Sequence, residues 1–253
     1  MADTKDLMGG LAKGLAVIEV FGAERPRLTV SEAAAGAGLD RASARRCLLT
    51  LAHYGYADYD GKFFTLTPRV LRLGIGCLAG LPLPQIVQPH LDRLSAELGE
   101  STSVSILDED EIVYVARAAQ RKLMAISLMP GSRLPACSTS MGRVLLAALP
   151  EDECRAVLLE HPPKPRTPYT ITDPEALMEK IAAARLDGHA LIDQEIELGL
   201  CSIAVPLHSA RGRVVAALNC GMAAGPQATM RLMQEVLPRL TALAQELRGL
   251  LPR

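Results

Sequence analysis

Apolar positions recur with helical spacing from the start of the chain. Leu7, Leu11, Leu15, Ile18 and Phe21 fall on one stripe, which predicts an amphipathic helix. A short second helix fits Val30 to Ala37, with Thr29 or Ser31 as its N-cap, Glu32 in its first turn and Gly38 to end it. A third runs from Arg41 to about Tyr54 behind the capping residue Asp40. The pattern then changes period: Tyr56 to Leu66 alternates around Asp60-Gly61, a hairpin signal. Three closely spaced helices followed by a hairpin describe a winged helix-turn-helix.

Beyond Leu81-Pro82-Leu83-Pro84 the pattern is different, and those prolines mark the best domain boundary. A helix over Gln85 to Leu98 leads into strand-like runs at Ser103 to Leu107, Glu111 to Ala116 and Leu123 to Ser127. Helical stretches follow at Ser140 to Leu149, Glu151 to Leu159 and Pro174 to about Leu186, with the loop PPKPRTP between the last two. Strands return at Ala190 to Asp193, Ser202 to Leu207 and Arg213 to Asn219, and a final helix covers Gln227 to about Leu250. Strands that leave and return around helices predict an α+β unit, an antiparallel sheet with flanking helices. The expected domains are residues 1–70, a linker helix over 71–82 and a second unit over 83–253, with Leu71, Ile75 and Leu78 of the linker spaced for a dimer contact.

Composition narrows the function. The chain has 253 residues, and 27 Lys and Arg against 28 Asp and Glu give a net charge of −1. With 49% hydrophobic residues it can bury a full core, so neither a basic nucleic-acid coat nor an acidic disordered tail fits. The charge is uneven: up to Pro82, 10 basic against 8 acidic residues give +2, and beyond it 17 against 20 give −3. The six cysteines (Cys47, Cys77, Cys137, Cys154, Cys201, Cys220) are scattered without a C-x-x-C pair, and MADTKDLMGG is unlike a signal peptide. Both features lead us to expect a cytoplasmic protein with reduced thiols. Leu73 to Leu91 holds 19 residues free of Lys, Arg, Asp and Glu, but Pro82, Pro84 and Pro89 argue against a membrane helix. The histidines have no ligand spacing, and no phosphate loop or nucleophile elbow occurs, so we expect no metal, no cofactor and no enzyme.

The third predicted helix carries the chemistry. At about 100° per residue, Ala44, Cys47, Leu48, Leu51 and Tyr54 make its inner stripe, while Ala42, Arg45, Arg46, Leu49, Thr50 and His53 lie opposite. Arginine forks onto guanine edges in a major groove, so Arg41, Ala42, Ser43, Arg45, Arg46 and Thr50 are candidate DNA contacts. Lys62 in the wing is a candidate phosphate contact. Taken alone, the run also describes an ordinary solvated helix face. The preceding short helix, the Gly38-Leu39 turn and the wing favour the DNA reading.

KGLAVIEVF (13–21), LTVSEAAAGAGLDRASARRCLLTLAHYGYA (28–57) and FTLTPRVLRLG (64–74) resemble the isocitrate-lyase-regulator (IclR) family of bacterial transcription factors. In the second half SVSILDEDEIVYVAR (103–117), PACSTSMGRVLLAALP (135–150), LIDQEIELGLCSIAVPL (191–207) and GRVVAALN (212–219) carry the same resemblance, specifically to its aromatic-acid subgroup. It implies a GAF-like effector unit, a double-stranded DNA operator, a homodimer or a dimer of dimers, and a small carboxylate effector such as an aromatic acid. By resemblance, Ser140 and Met141 match a pocket-lining helix start, and Asp193, Ser202, Asn219 and Gly221 match strand positions facing the ligand. Capping by Ser138 or Ser140 is the structural alternative for the first pair.

Arg133 and Arg143 are candidate carboxylate partners or simply surface residues. Alternation puts Asp193, Glu195 and Glu197 on one strand face, which suits a loop or pocket rim better than a core. Where the subgroup has an arginine this chain has Cys201, and where it has ALNVS this chain has ALNCG, with Cys220-Gly221; the loss of a cation and a hydroxyl there puts the effector's identity in question. Two further classes fit the composition. One is a thiol-based redox regulator; the other is a ligand-binding module acting through protein partners.

Overall fold

The computed structural model describes residues 7–22, 25–73, 82–120 and 128–251. The chain divides into two compact units, Met1–Gly80 and Leu81–Arg253. Most of the expected linker helix, with Ile75 and Leu78, and the run Leu123 to Ser127 lie outside the described residues; residues 71–73 are helical.

In the first unit, helices α1 (Gly9–Glu19), α2 (Val30–Gly36) and α3 (Arg41–His53) precede a hairpin of β2 (Ala57–Tyr59) and β3 (Phe64–Leu66). A two-residue strand β1 (Arg27–Leu28) pairs with β3 and makes the wing three-stranded. Helix α2 opens with a capping box: Glu32 N–H donates to the Thr29 hydroxyl at 3.3 Å, and Thr29 N–H to the Glu32 carboxylate at 2.7 Å. Two backbone donors of the first turn are thereby satisfied. The turn into α3 runs through Gly38 at φ +63°, a left-handed conformation that suits glycine. Asp40 then caps α3, accepting from Ser43 N–H at 2.8 Å. Val17, Leu28, Ala33, Leu48 and Phe64 form the small core beneath.

The second unit is a three-layer sandwich. Its six-stranded antiparallel sheet has the order β6-β5-β4-β9-β8-β7, with β4 (Ser101–Asp108), β5 (Glu111–Ala118), β6 (Arg133–Pro135), β7 (Ala190–Asp193), β8 (Leu200–His208) and β9 (Val214–Ala223). On one face lie α4 (Pro82–Leu98) and the C-terminal helix, which begins at Ala228, passes through a π-helical stretch at Leu232–Val236 and continues over Leu237–Leu247. Leu83, Val87, Leu91, Leu94 and Leu98 of α4 make a 3–4 residue stripe into that layer. The helix thus begins at Pro82, three residues before the expected start at Gln85, and runs on through Pro89.

On the other face lie α5 (Ser140–Leu146), α6 (Glu151–Glu160) and α7 (Pro174–Asp187). Along β8 the alternation is strict: Cys201, Ile203 and Val205 join the first layer, while Ser202 and Ala204 face the second. Strand β7 ends at Asp193, so Glu195 and Glu197 belong to a loop and not to the strand.

Candidate nucleic-acid interface and effector pocket

On α3, Arg41, Ala42, Arg45, Arg46, Leu49, Thr50 and His53 are exposed, while Ala44 and Leu48 are buried. The helix thus presents three arginines on one solvent face. Thr50 Oγ1 donates to the Arg46 carbonyl at 2.8 Å, which leaves its lone pairs free to accept. Ser43 departs from the sequence reading. It is 3% exposed and its hydroxyl lies 3.4 Å from Lys13 Nζ, so it serves the start of the helix rather than its outer face. At the wing tip Asp60 accepts from the N–H groups of Lys62 and Phe63 at 2.9 and 2.7 Å. These bonds hold the Asp60 carboxyl below its usual pKa range. Lys62 and Arg27 both approach the Phe63 ring, at 5.0 and 4.6 Å from its centroid.

The second unit encloses a cavity between its sheet and α5. Ser140 and Met141 from α5, Ser202 from β8 and Asn219 and Gly221 from β9 line it together. The Ser140 and Ser202 hydroxyls meet at 2.9 Å. Thr139 caps the helix, accepting from Gly142 N–H at 3.1 Å, so neither Ser138 nor Ser140 is the cap. Helix α5 can approach this closely because residue 142 is glycine: a Cβ there would stand 2.1 Å from the Ala136 carbonyl oxygen. The free volume is about 30 Å³, the share of one water.

Arg117 and Tyr114 on β5, which the sequence reading did not single out, also line this cavity. A β-bulge hid them. The pairing passes from Val104↔Ala116 to Ser105↔Tyr114, leaving Val115 as an extra residue on β5. An even and an odd position therefore face the same side, against simple alternation. Arg117 Nη1 donates to the Ser103 hydroxyl at 3.1 Å, and its buried Nε has no hydrogen-bond partner. It makes no ion pair with a described residue, and burial pulls its pKa down. Burial pushes the Tyr114 hydroxyl up to about 12. The Asn219 Oδ1 is likewise buried without a donor.

Two expected pocket residues lie elsewhere. Arg133, on edge strand β6, bridges Asp108 at 2.7 Å and Glu111 at 2.6 Å. Asp193 accepts the Cys201 thiol at 2.8 Å. Arg143 is buried rather than a surface residue, and its guanidinium is already taken by Glu195. Cys201 and Cys220 pack in the layer of α4 and the C-terminal helix, on the sheet face opposite Ser202 and Asn219. The departures at 201 and 220 therefore leave the cavity lining unaltered, whereas the glycine at 221, where the subgroup has serine, lies in that lining and removes a hydroxyl from it. Among the described residues no His, Cys, Asp and Glu group is arranged to hold a metal, and no helix is long and apolar enough to cross a membrane.

Two family models match the chain: the IclR helix-turn-helix domain over residues 10–61 and the bacterial transcriptional regulator IclR C-terminal domain over residues 76–248. The Pca regulon regulatory protein of Pseudomonas putida is 43% identical over 243 residues, covering 96% of this chain and 84% of that protein. The p-hydroxybenzoate hydroxylase transcriptional activator of Acinetobacter baylyi is 41% identical over 252 residues, covering 98% and 93%. Among solved structures, a double mutant of the PobR transcription factor inducer-binding domain from Acinetobacter, in complex with 3-hydroxybenzoic acid, superposes with a TM-score of 0.61 at 38% identity. It covers 66% of this chain and 98% of that one.

Proposed function

The chain belongs to the IclR family of bacterial transcriptional regulators, and we propose that its second unit responds to a hydroxybenzoate or a related aromatic acid held by Arg117. It is a DNA-binding regulator and not an enzyme, as its relatives are. One observation carries the effector reading: a half-buried arginine in the family's C-terminal unit lines a cavity and has no carboxylate partner among the described residues. A bound carboxylate supplies that partner, and a charge-assisted pair in such a setting is strong. Asn219 Oδ1 asks for a donor, which a ring hydroxyl provides. Ser140, Ser202 and Gly221 complete the polar side, and Met141 is the adaptable wall that yields as the cavity widens.

On the DNA side, Arg41, Ala42, Arg45, Arg46 and Thr50 read the major groove and Lys62 holds a phosphate. The working organisation is a DNA-binding domain over residues 1–70, a linker helix over 71–82 and an effector domain over 83–253. Near-neutral charge gives weak non-specific affinity, so the chain acts as a homodimer, or a dimer of dimers, on a palindromic or repeated site in the cytoplasm. The effector changes DNA affinity only by its differential affinity for the two states.

A redox switch is the weaker reading. Burial raises the pKa of the Cys137 and Cys154 thiols and, with the Asp193 carboxylate, that of Cys201 to about 12, the opposite of a reactive thiolate. The test is anisotropy of a labelled duplex from the chain's own upstream region, with and without 4-hydroxybenzoate and protocatechuate. A shift in midpoint with either acid supports the reading; DNA binding indifferent to a panel of aromatic acids refutes it.

A further inference from the structure

A second concavity lies on the other side of α5 from the effector cavity. Its free volume is about 310 Å³, and its floor is built from buried Cys137, Leu146 and Leu158. The rim is the loop after α6, where Lys164 and Arg166 alternate with Pro162, Pro163 and Pro165; proline fixes φ and so restricts where this backbone carries its cations. Of the acidic residues around it, Glu111 is taken by Arg133 at 2.6 Å, and Asp110 stands 3.6 Å from the His161 ring, which is a cation only when protonated. Asp110 and Glu160 thus share the lining with Lys164 and Arg166, and neither cation makes an ion pair with a described residue. Apolar floor, cationic rim and a volume at the lower end of ligand sites are the features that bind a small organic acid.

We infer that this concavity is a second small-carboxylate site, with Lys164 and Arg166 as its anion contacts and Leu146 and Leu158 against the ligand's carbon skeleton. It shares walls with the effector cavity. Helix α5 gives Met141 to one and Leu146 to the other. The rim loop is tied to the loop that carries Ile196 of the effector cavity: Thr170 Oγ1 donates to the Glu195 carbonyl and Thr167 Oγ1 to the Gln194 carbonyl, both at 2.6 Å. A ligand on the rim loop therefore bears on both walls of the first cavity.

Isothermal titration of the full chain with benzoate and with adipate tests the site, using Arg117→Gln to disable the first cavity. At least one probe should bind Arg117→Gln at one site per chain, and adding Lys164→Gln and Arg166→Gln should weaken it tenfold or more. These are exposed positions, so the melting temperature reports that the fold is kept. No heat from either probe with Arg117→Gln, or a Kd untouched by the rim substitutions, overturns the inference. The effector reading is judged separately, by whether Arg117→Gln removes one of the sites present in the unsubstituted chain.

Discussion

Arg143 and Glu195, 52 residues apart, meet as a two-point ion pair inside the second unit, with Nη1 2.9 Å from Oε1 and Nη2 2.6 Å from Oε2. Their side chains are 3% and 9% exposed. The third donor is used as well, Nε giving to the Cys137 carbonyl at 2.9 Å. Arg143 follows Met141 by two residues on the helix that walls the cavity, and Glu195 precedes Ile196 on the opposing loop. The pair therefore fixes one cavity wall against another.

Removing one partner leaves the other charged and buried. Arg143→Met and Glu195→Gln should each cost about 3–5 kcal/mol. The double apolar replacement, Arg143→Met with Glu195→Leu, should recover most of that loss. Urea denaturation of the three variants checks this; equal destabilisation in the double variant would mean the pair itself supplies the stability.

Gly142→Ala should be among the more damaging small substitutions. Its methyl has no room against the Ala136 backbone, whose carbonyl oxygen would stand 2.1 Å from it. We expect a lowered melting temperature, with a loss of about 1–3 kcal/mol as for other overpacked sites. A melting curve superposing on that of the unsubstituted protein would show that α5 moves freely.

Arg46→Ala should weaken operator binding by about 1–3 kcal/mol and relax the preference at one base pair. Lys62→Gln should act differently, weakening all sequences alike and lowering the salt slope by about 1. Anisotropy titrations at several salt concentrations, on operator and scrambled duplexes, separate the two effects.

Alkaline stability follows from the buried acids. The Cys201 thiol rises from 9.0 to about 12 and the Tyr114 hydroxyl from 10.0 to about 12. Above pH 9 the unfolded chain releases protons that the folded chain retains, so stability falls as pH rises. The contribution is fully present below pH 9 and is lost as pH approaches 12. Melting temperatures between pH 8 and 11 should fall less steeply for Cys201→Ser; parallel curves would exclude Cys201 as a source.

The elements of the first unit were legible because their signals are local, but not every face was: Leu7, Leu11 and Leu15 of the first stripe and Tyr54 of the third helix stand exposed, and Val17 is the buried residue of α1. The Thr29–Glu32 box, the Asp40 cap and the Asp60-Gly61 turn each act within three residues. Most strands of the second unit also showed in their alternation. What sequence did not reveal depends on long-range geometry. The bulge at Val115 puts Arg117 beside Tyr114, and the 52-residue span from Arg143 to Glu195 hides why that arginine is unavailable. Strand β6 is three residues long and has no period to read; of the two readings of its Arg133, carboxylate partner or surface residue, the second fits its exposed pairs with Asp108 and Glu111. The faces of Cys201 and Cys220 are settled by sheet register, which sets a neighbour's side as firmly as its own.

The central claim is that Arg117 anchors an aromatic carboxylate in the second unit, and the most direct measurement is the Kd of 4-hydroxybenzoate for the unsubstituted chain and for Arg117→Gln. Losing a charge-assisted bond worth about 1.5–3 kcal/mol should raise Kd by roughly ten- to a hundredfold. The melting temperature should change little, because Arg117 makes no ion pair with a described residue and its described side-chain hydrogen bond is the one to Ser103. Equal affinities for the two proteins would contradict the account.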